Sequence, residues 1–189
     1  MAKIRTFIAV EATDAVHAAA MSVIDRLQSA ADNVKWVEPD NLHWTLQFLG
    51  DVDDVDLHQV CKQTALAAAE HEAFSLSAVG VGAFPSPARP RTLWLGAGSG
   101  SDELIALQES IEQRLAPLGF RGEHRQFVPH LTIGRVGRGS HGGDLLAERL
   151  EKLTDFAGGE MPVDRVTVFS SELERHGPVY HVMAQADLA

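Results

Sequence analysis

Two segments, "HWTLQFLG" at residues 43–50 and "HLTIGRV" at 130–136, each open with His, any residue, Thr and run on into a β-rich stretch. A strand turns successive side chains to opposite faces, so His43 and Thr45 share one face while Trp44 and Leu46 share the other, and His130 and Thr132 are paired in the same way. One such tripeptide beside a strand carries little information. Two of them constrain the fold, because each sits in the same order of elements: Phe7 precedes His43 by 36 positions, and Trp94 precedes His130 by 36 as well. The chain therefore reads as an internal duplication, strand-helix-strand-helix-strand twice. If the two units pack about a pseudo-twofold axis, the His-x-Thr strands meet and both His-Thr pairs face one cleft.

Periodicity and punctuation place the elements. Strands are expected at Arg5 to Val10, His43 to Leu49, Phe74 to Val81, Thr92 to Leu95, His130 to Val136, Val163 to Phe169 and Val179 to Ala184. Helices are expected at about Asp14 to Ala31, Asp53 to Glu70, Asp102 to Ala116 and Asp144 to Leu153. Each helix begins at an Asp suited to cap it, and Gly119 stands just past the third as a stop. The expected class is α+β, a single domain of two duplicated lobes (about residues 1–83 and 92–189), with the terminal strand free to cross between them.

Composition narrows the partners. With 189 residues, 45% hydrophobic and 22% charged, the chain can bury a core. No run of 18 apolar residues suggests a membrane span, and the apolar stretch after "MAKIR" is too short for a secretory signal, so a cytoplasmic monomer is expected. The lone Cys61 reads as a structural thiol in an Ala-rich helix. A net charge of −10 argues against broad binding to a nucleic-acid duplex. The charge is uneven, however: residues 89–142 hold 7 basic and 5 acidic side chains, and all seven cations are arginine. Arginine grips phosphate in a bidentate fork, which leaves room for a small phosphate site on an acidic body.

Two imidazoles in one cleft suit paired general acid and base catalysis at neutral pH, and two threonine hydroxyls can donate hydrogen bonds to phosphate oxygens. No metal and no cofactor is suggested, since the sequence has no His-x-x-x-His, no His-Glu-x-x-His and no cysteine cluster. Of the other histidines, His17, His58 and His71 fall on expected helices. His124 is close enough to His130 to line the cleft, His141 lies in a Gly-rich loop without a phosphate-loop signature, and His176 and His181 are near the C-terminus.

The doubled "HWTL" and "HLTI", with "RTFIAVE", "GAFPSPARPRTLWLG", "FVPHLTIGRV" and "FSSELERHGPVY", resemble the 2H phosphoesterase superfamily. Within it the chain is similar to the RNA 2′,3′-cyclic phosphodiesterases, also called 2′-5′ RNA ligases. The resemblance implies a bilobal fold with antiparallel sheets flanking a central cleft, and hydrolysis of RNA 2′,3′-cyclic phosphate ends to 2′-phosphates without metal. It makes His43 the proton donor, His130 the proton acceptor, and Thr45 and Thr132 the phosphate holders. Arg135 matches a basic position that follows the second motif, although strict alternation turns it away from His130 unless the strand carries a bulge. Gln47 shares the face of His43 by the same alternation. Arg89 and Arg91 would sit on a rim loop. Trp44, Phe48 and Trp94 read as core, with Trp36 the best candidate to stack on a base.

Four readings stay open: RNA ends as substrate, a small cyclic nucleotide or ADP-ribose cyclic phosphate, reversible 2′-5′ joining of RNA halves, and a noncatalytic module that binds RNA ends.

Overall fold

The computed structural model describes residues 3–122, 125–139 and 143–189. In chain order the elements are β1 (Lys3–Glu11), α1 (Asp14–Leu27), β2 (Val34–Trp36), β3 (His43–Asp53), α2 (Asp54–Ala68), β4 (Phe74–Phe84), β5 (Thr92–Ala97), α3 (Ser101–Leu115), β6 (His130–Val136), α4 (Asp144–Lys152), β7 (Ala157–Val163), β8 (Arg165–Glu174) and β9 (Gly177–Asp187). No described helix is long and apolar enough to cross a membrane.

The strands pair in the order β7-β4-β5-β6-β3-β1-β8-β9, with β2 attached to residues 134–136 of β6, past its contact with β3. All pairings are antiparallel. The order is a palindrome in kind: β6 matches β3, β5 matches β1, β4 matches β8 and β7 matches β9. The two halves join where Trp44 of β3 pairs with Leu131 of β6. The halves of the sheet cut across the halves of the sequence. β4 belongs to the first repeat but pairs with β5 of the second, while β8 belongs to the second and pairs with β1 of the first. Helices follow the same exchange, since α1 packs on β7 and α2 packs on α3 and β9. A boundary near residues 83–92 therefore separates the repeats but not the lobes.

Strand register also corrects the 36-residue equivalence. Thr45 stands opposite Ala9 on β1, and Thr132 stands opposite Trp94 on β5, so the counterpart of Trp94 is Ala9 rather than Phe7. The two repeats differ in connection length, and the matched spacing was off by one strand period.

One face of the sheet is covered by helices. The α1 side chains Val16, Ala20, Val23, Ile24 and Leu27 recur every three or four residues, as do Leu104, Leu107, Ile111 and Leu115 of α3, and all are buried against Leu93, Leu95, Leu131, Ile133 and their neighbours. The opposite face carries a small apolar cluster of Phe7, Ala9 and Phe169, with Tyr180 packed on it. The N-caps are Thr13, Asp53, Gly100 and Gly143, none with a side-chain capping bond. Asp14, Asp54, Asp102 and Asp144 instead lie in the first turns, where a carboxylate favours the positive end of the helix dipole. Gly119 closes the turn after α3 at φ +93°, a conformation open to glycine.

Candidate active site

The first motif opens β3. His43 and Thr45 are half-buried on the cleft face, and Trp44 and Leu46 are buried behind them. The β1 register then skips Leu46, pairing Ala9 with Thr45 but Ile8 with Gln47. This bulge inverts the alternation beyond it. Gln47 is only 5% exposed and donates a hydrogen bond to the Phe120 carbonyl at 3.4 Å, whereas Phe48 is 52% exposed. Gln47 thus leaves the cleft face and Phe48 takes it, the reverse of simple alternation.

The second motif repeats the device in β6. There the β5 register skips Ile133, pairing Trp94 with Thr132 but Leu93 with Gly134. Ile133 and Gly134 are both buried and Arg135 emerges exposed. Glycine is needed at 134, because a Cβ there would come within 2.9 Å of the Trp36 and Val34 side chains. Phe48 and Arg135 stand five residues beyond their histidines, each after a bulge, so they are pseudo-symmetric counterparts. The cleft is aromatic on one side and cationic on the other.

Continuing the Trp44–Leu131 register by one residue each way sets His43 opposite Thr132 and Thr45 opposite His130. Each imidazole is held by its own backbone. Nδ1 of His43 lies 2.8 Å from the Asn41 carbonyl, and Nδ1 of His130 lies 2.8 Å from the Val128 carbonyl. A carbonyl oxygen only accepts, so Nδ1 carries the proton in both rings and Nε2 is the basic nitrogen of each neutral imidazole.

Their surroundings differ. His43 packs against Phe7 at 4.8 Å, Tyr180 edge-on at 5.4 Å and Phe169 at 6.4 Å, while His130 meets Phe84 edge-on at 5.1 Å. Burial among these rings lowers the His43 pKa to about 4; the positive charge of Arg135 pushes the same way, and the Asn41 carbonyl opposes it. Burial also raises the Tyr180 hydroxyl, against the pull of Arg135 and Arg5.

The cleft contains a solvent-open cavity of about 180 Å³. Thr45, Thr132 and Arg135 line it with His43, and so do Lys35, Asn41 and Tyr180, which motif reading passed over, and Phe48, which the sequence placed in the core but the bulge turns into the cleft. His176 borders it too, carried there by the β8–β9 hairpin, which is tied down where Asn41 donates to the Pro178 carbonyl at 2.9 Å. Trp36 reaches the cleft edge, but it packs against the core beside Gly134. Trp44 is buried, and Trp94 lies over Gly82 and Gly96. His17 and His58 lie on α1 and α2, His71 bonds Ser110 at 2.8 Å, and His181 sits 4.0 Å from Glu172 on the exposed hairpin. Arg89 and Arg91 are exposed and neither lines the cleft cavity, and the Arg91 guanidinium approaches the Gly137 carbonyl at 3.5 Å. Cys61 is only partly buried. His124 and His141 lie outside the described residues. Among the described residues, no three His, Cys, Asp or Glu side chains converge as a metal site would require.

Residues 13–175 match the 2′-5′ RNA ligase superfamily. The chain belongs to this superfamily of 2H phosphoesterases. An RNA 2′,3′-cyclic phosphodiesterase of Methanothermobacter thermautotrophicus is 38% identical over 178 residues, covering 94% of this chain and 95% of that one. One of Thermotoga maritima is 35% identical over 182 residues, covering 95% and 92%. The crystal structure of a Thermus thermophilus protein superposes with a TM-score of 0.82 at 26% identity, covering 98% of each chain. The α+β fold with its curled antiparallel sheet is that of the 2H phosphoesterases.

Proposed function

We propose that this 2H phosphoesterase hydrolyses RNA 2′,3′-cyclic phosphate ends to 2′-phosphates without a metal. Water attacks phosphorus in line as its proton passes to Nε2 of His130, the bond from phosphorus to the 3′ oxygen breaks, and Nε2–H of His43 protonates the departing oxygen. Thr45 and Thr132 donate to the non-bridging oxygens, and Arg135 offsets the growing negative charge. The observation that carries the reading is the matched pair of imidazoles, each with Nδ1 tied to the carbonyl two residues back and each set across from the other motif's threonine. Relatives named RNA 2′,3′-cyclic phosphodiesterase, similar along nearly the whole chain, support the substrate class.

The low His43 pKa bears on the roles. With its pKa lowered to about 4, His43 is neutral at pH 7. As donor it must gain its proton with the substrate, whose anionic phosphate replaces lost hydration and counters Arg135. The same observation favours a second reading in which His43 is the base and His130 the acid. With the substrate held the same way, the 2′ oxygen then leaves and a 3′-phosphate results.

One experiment separates these. Purified protein in EDTA is given an oligonucleotide ending in 2′,3′-cyclic phosphate, a cyclic mononucleotide, or two RNA halves, and products are read by phosphorus NMR. The 2′-phosphate is expected from the oligonucleotide; a 3′-phosphate exchanges the two histidines, and activity that returns only with a divalent ion defeats the metal-free step. Joined halves or binding without turnover would instead select ligation or the noncatalytic module.

A further inference from the structure

On β2, Lys35 stands directly opposite Arg135 of β6. Directly opposed residues share a face, and like charges there destabilise the pair. Val34 and Trp36 turn the other way, toward Gly134 and the core. Lys35 therefore projects on the cleft side, where it lines the same cavity as Arg135, Thr132 and Thr45. Among the described residues neither cation forms an ion pair, even with Glu38 on the same cavity wall. A chain with 26 acidic against 16 basic side chains has carboxylates to spare, yet it sets two cations side by side. An anion that enters with the ligand resolves the repulsion.

The position fixes which anion. Once the bulged residue is discounted, Arg135 lies two ladder steps past Thr132, about 7 Å along the strand, and Lys35 lies a further strand spacing of about 5 Å across. Lys35 is thus farther from Thr132 than Arg135 is, and Arg135 lies between the two. A terminal nucleoside whose 2′ and 3′ oxygens are closed by one phosphate has its other phosphate on the 5′ oxygen. We propose that Lys35 and Arg135 together hold that second, 5′-side phosphate. Arg135 bridges the two positions, and Lys35 serves the second alone. The inference rests on the cyclic-phosphate reading, and it means the enzyme selects substrates with a phosphate one nucleoside away from the scissile ring.

The test compares kcat/KM for adenosine 2′,3′-cyclic phosphate, its 5′-phosphorylated form, and the ApA dinucleotide ending in 2′,3′-cyclic phosphate, in the wild type, Lys35→Gln and Lys35→Arg. The wild type should favour the second-phosphate substrates by about tenfold or more, the worth of one charge-assisted hydrogen bond. Lys35→Gln should bring that ratio toward one, mainly through KM, and Lys35→Arg should keep most of it. Equal preference for both second-phosphate substrates identifies the phosphate itself as the ligand, and preference for the dinucleotide alone identifies a phosphodiester within a chain. A wild-type ratio within twofold of one, or a ratio unchanged in Lys35→Gln, overturns the proposal. Equilibrium binding of adenosine 2′-monophosphate and adenosine 2′,5′-bisphosphate reads the subsite without turnover. If no cyclic phosphate is opened but the bisphosphate binds tighter and loses that advantage in Lys35→Gln, the chemistry fails and the subsite stands. Equal binding of both ligands sinks the subsite even where hydrolysis is intact.

Discussion

His43 should make the protein less stable in mild acid. In the unfolded chain its imidazole titrates near 6.5, and in the folded cleft near about 4. Between those values the unfolded state binds the extra proton, so acidification favours unfolding. The contribution is fully present above pH 6.5 and is lost as pH falls through the window toward 4. The gap is worth about 3 kcal/mol when fully expressed, and about 2 kcal/mol of it should be gone by pH 5. Carboxylates titrate below pH 5 as well, which calls for a matched control. His43→Asn keeps an N–H where Nδ1 donates to the Asn41 carbonyl but has no proton to gain. Urea unfolding of both proteins at pH 7, 6, 5 and 4.5 gives the difference directly, with the wild type losing more stability than the variant by the amounts above. NMR titration of the ring reads the same pKa, and saturating adenosine 2′-monophosphate should raise it by placing an anion beside the imidazole. Parallel pH dependence in the two proteins would refute the reasoning, since the aromatic enclosure of His43 would then cost its charged form nothing.

Either His43→Ala or His130→Ala should lower turnover by roughly 100-fold or more, and the double variant should lose little further, because the two act as one unit; a folded single variant keeping about a tenth of wild-type kcat excludes the assignment. Thr45→Val and Thr132→Val each remove a donor at nearly constant shape and should cost about 10- to 1000-fold in kcat, by analogy with an oxyanion-hole donor; a loss confined to KM would assign the hydroxyls to ground-state binding. Gly134→Ala drives a Cβ into the Trp36 and Val34 side chains and should destabilise by about 1–3 kcal/mol, measured as a lower urea midpoint. An unchanged midpoint would show that β2 moves aside at no cost.

Sequence periodicity reached the His-Thr pairs because each lies at the start of its strand, ahead of any irregularity. It failed at Gln47 and Phe48 because a bulge is a property of pairing, and nothing local in "HWTLQFLG" marks the residue the neighbour strand will skip. The need for a bulge was visible at Arg135; carried back to the first repeat, the same argument brings Phe48 into the cleft and takes Gln47 out. Tyr180 and His176 were out of reach for another reason: they come from a hairpin more than a hundred residues away from His43 in sequence. β7 escaped notice because "AGGEMPV" has two glycines and a proline, tolerable because β7 is an edge strand pairing with β4 alone. β2 has three residues, too few for any pattern, yet it delivers Lys35.

The exchange of strands between repeats has a consequence for how this enzyme could have arisen. Each repeat's third strand completes the other repeat's half of the sheet, so neither repeat alone encloses its own core or owns a whole site. An ancestor encoding a single repeat would have been obliged to work as a homodimer, with one His-Thr pair from each subunit and identical residues at the positions of Phe48 and Arg135. Fusion into one chain would release those two positions from symmetry. One side of the cleft is then free to become a ring and the other a charge, as Phe48 and Arg135 are here.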